Sequence, residues 1–65
     1  MKKASEYRRH AAECRRLAED TGGRHREQLL EMAATWEQLA RERSELVRRH
    51  PELAIDGELE EERSS

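Results

Sequence analysis

The sequence predicts an all-α protein: a two-helix antiparallel hairpin that pairs with a second copy to form a four-helix bundle. Charged residues make up 43% of the chain and hydrophobic ones 34%, and the chain has no Phe and only one Trp. This composition suits amphipathic helices and is poor in the aromatic and β-branched residues that sheets favour. In two stretches, apolar residues recur every three or four positions, which is typical of a helix with one buried face. Gly22-Gly23 separates these stretches, and Pro51 ends the second.

The first helix is predicted over residues 4–20. Its apolar positions are spaced three or four residues apart, so they lie on one face. Glycine accepts the left-handed conformation that commonly ends a helix, so two glycines at 22 and 23 favour a turn. The face consists of Ala4, Tyr7, Ala11, Cys14 and Ala18, with Leu17 beside it.

The second helix is predicted over residues 24–49 and contains most of the large apolar residues. Its main face is expected to carry Leu29, Met32, Trp36, Leu39, Arg43 and Leu46, with Ala33, Ala40 and Val47 widening it. Arg43 falls inside this apolar arc and therefore needs a partner, a solvent-reaching stem or a position at the end of the core. Pro51 disfavours helical geometry at His50 and stops the helix.

A short turn makes consecutive helices antiparallel neighbours. In the resulting pairing, small residues of the first helix face large residues of the second, with Tyr7 opposite Trp36. The expected contact joins Tyr7, Ala11, Cys14, Leu17 and Ala18 to Leu29, Met32, Ala33, Trp36, Leu39 and Ala40.

The hairpin has more apolar surface than it can bury. The second helix is longer, so Leu46 and Val47 are expected on an overhang that nothing in the chain covers, and Leu30 faces away from the first helix. A chain of 65 residues has a marginal core, and oligomerisation is a usual remedy. We therefore predict a homodimer in which Leu30, Leu46 and Val47 bind the second chain. A higher oligomer or a helical protein partner is the alternative.

The last fifteen residues differ from the rest in charge. Residues 1–50 carry 12 basic and 9 acidic residues, whereas residues 51–65 carry one Arg and six acidic residues. The second segment is short, acidic and interrupted by Gly57, so we predict a mostly disordered tail outside a hairpin domain of residues 1–50. Such a tail either solubilises the protein, or screens its arginines or binds a basic partner.

Two sets of residues are candidates for binding chemistry. His10 and Cys14 lie four apart on one side of a helix, so two chains would bring four zinc ligands together; the simpler interpretation is a buried Cys14 beside a border histidine. Arg8, Arg9, Arg15 and Arg16 repeat at seven residues and are candidate phosphate contacts, the basis of an alternative function in nucleic-acid association. Their simpler interpretation is a solvated face paired with neighbouring acids.

The sequence lacks the signatures of an enzyme. It contains no nucleophile paired with a base, no glycine-rich phosphate loop and no cofactor motif. A single Cys fits a reducing compartment, and no apolar run follows Lys2-Lys3 or spans a membrane, so we expect a cytoplasmic protein without a membrane partner.

Two strings resemble a known group of proteins. They read Tyr-Arg-x-x-Ala-x-Glu-Cys over residues 7–14 and Leu-Leu-Glu-Met-Ala-x-x-Trp over residues 29–36. The pattern resembles short helical proteins common in soil alphaproteobacteria, most without an established activity, which often carry Pro where this chain has Gly22-Gly23. The resemblance implies a small cytoplasmic helical hairpin and no functional residue. We therefore expect a noncatalytic, self-associating interaction protein.

Overall fold

The computed structural model describes residues 3–64, with only the backbone of Ser64. Helix α1 spans Ala4–Glu19, α2 spans Gly23–Arg49, a 3-10 helix spans Pro51–Leu53 and α3 spans Glu58–Ser64. Helices α1 and α2 pack against each other, and the described residues contain no strand, which confirms the predicted all-α class. Met1, Lys2 and Ser65 belong to the predicted segments 1–50 and 51–65 but lie outside the described residues.

The turn between the long helices depends on one of its two glycines. The backbone N–H of Asp20 donates to the carbonyl oxygen of Leu17 at 3.2 Å and that of Thr21 to the carbonyl oxygen of Ala18 at 3.3 Å, which closes α1. Gly23 has a φ angle of 66°, in the left-handed region, whereas Gly22 has a φ of −108° that any residue can adopt. Left-handed backbone costs most side chains roughly 1–2 kcal/mol. The turn therefore requires glycine at position 23 alone.

Alanines form the line of contact between α1 and α2. Ala11, Cys14 and Ala33 form a buried cluster, and Trp36 packs against it. Because alanine has a small side chain, the two backbones approach closely along this line. Ala4, Ala18 and Ala40 are also buried, so the buried alanines of each helix lie seven residues apart.

This arrangement differs from the predicted seam. Ala33 and Ala40, expected at its margin, lie at its centre, whereas Leu17 and Met32 are 54% and 49% exposed instead of packed in the core. When only two helices pack together, just the side chains along a narrow line of contact become completely buried. When small residues occupy that line, the larger ones beside it remain at the edge of the contact.

The acidic tail also differs from the prediction of a mostly disordered segment. After Pro51 the chain turns back, and α3 lies beside the free ends of the hairpin. Val47 is only 1% exposed, so it is not available for a second chain as predicted, whereas Leu46 is half-buried. Apolar burial does not explain the ordered tail, because its large side chains stay substantially exposed. These side chains are Leu53, Ile55 and Leu59.

We expect the two turn glycines to respond differently to alanine. Gly23→Ala should lower the free energy of unfolding by about 1 kcal/mol or more, because it places a Cβ at positive φ. Gly22→Ala, the matched control, should be neutral or slightly stabilising, because a Cβ there meets nothing within 4 Å. Urea denaturation followed by circular dichroism measures both; equal effects would contradict the assignment of the turn to Gly23.

Candidate functional site

A buried ion pair fixes the tail to the hairpin. The Arg43 Nε donates a hydrogen bond of 2.8 Å to Glu58 Oε2, and Nη2 donates one of 2.8 Å to Oε1. Nη2 also donates to the carbonyl oxygen of Leu53 at 3.1 Å. Arg43 is 5% exposed and Glu58 is fully buried. Two parallel charge-assisted bonds in a place without solvent form the strongest polar contact between the tail and the hairpin.

The Glu58 carboxylate also accepts from the backbone. The Ile55 N–H donates to Oε1 at 3.1 Å, and the N–H of Ala4, the first residue of α1, is a further donor. Helix N-terminal amides lack partners within the helix and attract negative charge. The hydrogen bonds from Arg43, ahead of these backbone donors, hold the pKa of Glu58 below its ordinary value despite burial. Glu58 in turn raises the pKa of Arg43, so the pair is charged at neutral pH.

Two further glutamates of α3 bind at the rim of this contact. Glu61 pairs with the Lys3 Nζ at 2.9 Å and accepts from the Ser5 hydroxyl at 2.8 Å. The hydrogen bond from Lys3 is the main reason that the pKa of Glu61 lies below its ordinary value.

Glu62 bridges the two long helices. It accepts from Arg8 of α1 at 3.1 and 3.3 Å and from the hydroxyl of Ser44 of α2. Arg8 is the main cause of the lowered pKa of Glu62. Positions 58, 61 and 62 lie on one face of α3, so three carboxylates meet three cations of the hairpin at once. We call the receiving surface the tail seat; it consists of Lys3, Ser5, Arg8, Arg43 and Ser44.

The four candidate phosphate contacts are not equivalent. Arg8 binds Glu62 of the tail, and Arg15 pairs with Glu37 of α2. Arg9 and Arg16 are exposed and form no ion pair within residues 3–64. Of the four arginines, one therefore binds the tail, one binds α2 and two are exposed to solvent.

The candidate metal ligands lie in the helix contact. Cys14 is buried beside Ala11 and Ala33. The His10 ring lies 4.7 Å from the Trp36 ring, which also stacks on Tyr7 at 5.8 Å. Among the described residues, no three His, Cys, Asp or Glu side chains are grouped to hold a metal ion. His10 and Cys14 thus have packing roles within this chain.

A partly covered apolar surface runs along the hairpin, with Leu17 and Met32 exposed and the other residues half-buried. Met32, Leu39 and Leu46 are seven residues apart and lie in one row on α2, next to Trp36. Leu17 lies on the same side, because it follows His10 by seven residues and the His10 ring contacts Trp36. A shallow depression of about 440 Å³ beside Met32 and Trp36 marks this surface. We call it the apolar face; it consists of Leu17, Met32, Trp36, Leu39 and Leu46.

Leu30 does not belong to the apolar face. It is 44% exposed and lies two residues from Met32, which places it about 200° around α2. The structure therefore separates Leu30 from Leu46, although both were predicted to bind the second chain.

Of the residues that hold the tail, the sequence singled out Arg43 and also Arg8, one of the arginines that the tail was expected to screen in one interpretation. The position of Arg43 on an apolar arc indicated a need for a partner, but nothing local identified Glu58, fifteen residues away. The available signal was the spacing of acidic residues at 58, 61 and 62, which places them on one helical face if the tail is helical. Lys3, Ser5 and Ser44 carried no signal of their own.

Comparison with family models, curated proteins and solved structures gives no match. Each helix within residues 3–64 is too short or too polar to cross a membrane.

We expect the buried pair to contribute far more to stability than exposed pairs do. Glu58→Gln should lower the free energy of unfolding by about 3 kcal/mol, because it leaves the Arg43 charge without a counterion. Glu45→Gln is the matched control and should cost under about 1 kcal/mol, because Glu45 pairs with exposed Arg48 and Arg49. Urea denaturation measures both losses, and similar values would show that the buried pair does not hold the tail.

We expect the tail contacts to weaken in acid. The pKa values of Glu58, Glu61 and Glu62 are lower in the folded chain than the usual 4.5, so the unfolded chain binds more protons in this range. Their contribution should be complete above the usual value and disappear as the pH falls through the lowered pKa values. Urea midpoints from neutral pH downward should show this fall, and a chain with all three glutamates changed to Gln should show a smaller one. Parallel curves for both chains would contradict the assignment.

Proposed function

We propose that this protein is a noncatalytic, self-associating interaction protein whose apolar face binds a second copy of the chain. The observation that carries the proposal is the half-exposed Met32 in line with Leu39 and Leu46. Apolar residues repeating every seven positions form the contact seam of paired helices. The chain covers this row only in part, because its own helix contact is centred on the row of Ala33 and Ala40: Met32 is exposed, and Leu39 and Leu46 are half-buried.

A second copy is a suitable occupant of the apolar face. In a two-fold dimer the same patch contacts itself, so the side chains of the apolar face meet apolar surface from the partner. Two hairpins joined in this way form a four-helix bundle with the apolar face at its centre. The apolar area that each hairpin leaves in water then contributes to stability, which a small two-helix core needs.

The polar residues next to the apolar face also support a protein interface. Gln28 and Thr35 border the same depression as Met32 and Trp36, and both are uncharged. Interface centres are depleted in charged residues, whereas their rims are polar. The exposed Glu31 lines the same depression, and Glu31 and Glu42 would lie at the rim of the interface.

We expect substitutions in the apolar face to separate the two chains. The wild-type chain should sediment at twice its 7.7 kDa mass at micromolar concentration. Leu39→Glu should yield a folded monomer, because it places a charge at the centre of the interface. Leu30→Glu is the matched control: the same substitution on another side of α2 should leave the dimer intact.

Sedimentation equilibrium with parallel circular dichroism distinguishes the outcomes. A wild-type chain that remains a helical monomer at high concentration would refute self-association. Dissociation by Leu30→Glu rather than Leu39→Glu would move the interface to another side of the hairpin.

A further inference from the structure

We propose that the tail seat is a binding site for an acidic helical segment of a partner protein, which takes the place of α3. The seat recognises carboxylates at positions i, i+3 and i+4 of a helix through Arg43, Lys3 and Arg8. Helix α3 is its intramolecular occupant. None of the seat residues belongs to the apolar face, so this inference does not rest on the proposed self-association.

The recognising groups belong to the hairpin and not to the tail. Arg43 and Ser44 lie within the 27-residue helix α2, and Ser5 and Arg8 lie within α1. Both helices are secured by the alanine contact, which does not involve α3. Because the tail seat lies on two packed helices, its geometry persists when α3 leaves. A binding site for an exchangeable segment requires such a fixed geometry.

The occupant is a short element held by polar contacts. Helix α3 has seven residues, follows Gly57 with a φ of 79°, and docks through Glu58, Glu61 and Glu62. Its apolar residue Leu59 is still 38% exposed. Contacts dominated by exposed charges contribute little stability each, so Glu58 carries most of the docking.

The tail fills its site incompletely. A depression of about 410 Å³ remains between α2 and α3, lined by Val47, Arg48 and Leu59 among others. The Arg48 side chain at its edge is 72% exposed. A longer acidic helix with a bulkier apolar residue at the position of Leu59 would fill this space and reach Arg48. Such a segment can compete with a tethered tail, whose effective concentration is on the order of millimolar.

A full-length chain with a neutralised tail tests the proposal. Glu58→Gln, Glu61→Gln and Glu62→Gln together weaken the intramolecular occupant and leave the seat intact. The probe is a fluorescein-labelled peptide with the sequence of residues 54–65, and fluorescence anisotropy measures its binding. We expect the substituted chain to bind the peptide at least about tenfold more tightly than wild type, because the tethered competitor is weakened.

Two controls locate the binding at the seat. Adding Lys3→Gln and Arg8→Gln to the neutralised-tail chain should reduce the gain, because two of the three cations of the seat are removed while Arg43 remains. Both side chains are exposed enough to be replaced without loss of the helices. A peptide with the three glutamates changed to Gln should not compete. If the triple variant loses its helical circular dichroism, Glu61→Gln with Glu62→Gln, which keeps the buried pair, should give a smaller gain in affinity.

Several results would overturn the proposal. One is the absence of any gain in peptide affinity in a variant that remains helical. Another is a gain that replacement of Lys3 and Arg8 leaves unchanged. A third is tighter binding of duplex DNA than of the peptide to the neutralised-tail chain, with loss of DNA binding on replacement of Lys3 and Arg8, which would make the seat a phosphate site. The sedimentation of the same variants reports separately on self-association.

Discussion

The pairing of Arg43 with Glu58 is the interaction on which the arrangement of this protein depends. Arg43 lies on the face of α2 that turns towards the rest of the chain, where a guanidinium without a counterion would be strongly unfavourable. Its counterion is Glu58, which comes from the segment after Pro51. Once Glu58 binds, α3 lies beside both long helices, and Val47 is covered. A single buried charge thus brings the tail into the fold.

The tail is ordered by cations rather than by apolar burial. Glu58, Glu61 and Glu62 each bind a basic side chain of the hairpin, and serine hydroxyls complete two of these contacts. Each carboxylate binds a cation at a fixed position on the hairpin, so the three contacts together fix the register of the docked helix. The outer contacts of Glu61 and Glu62 are also more readily exchanged than an apolar core, because water solvates both partners when they separate.

The hairpin therefore presents two surfaces of different chemistry. The alanine contact brings α1 and α2 close together and leaves the row of Met32, Leu39 and Leu46 outside it. The tail seat gathers basic residues from the N-terminal part of α1 and the C-terminal part of α2. Small hairpins have little interior, so their larger side chains lie at or near the surface. One surface of this chain is apolar, and the other binds the carboxylates of α3.

The sequence predicted the features that depend on local signals. The spacing of apolar residues identified two long helices, Gly22-Gly23 identified the turn and Pro51 identified the end of α2, with bounds within one residue of those observed. The anomaly of Arg43 was also visible, because it interrupts an apolar arc. These signals act between residues a few positions apart, so the chain shows them without tertiary structure.

Only the tertiary structure decided which row of α2 faces α1 and where the tail lies. Three neighbouring rows on α2 repeat every seven residues, beginning at Leu29, Met32 and Ala33, and periodicity alone does not choose among them. Close approach of the two backbones favours the alanine row, and this depends on the partner helix. The order of the tail likewise depends on contacts such as Glu61 with Lys3, 58 residues apart, and no local pattern in an acidic segment reveals a distant cation.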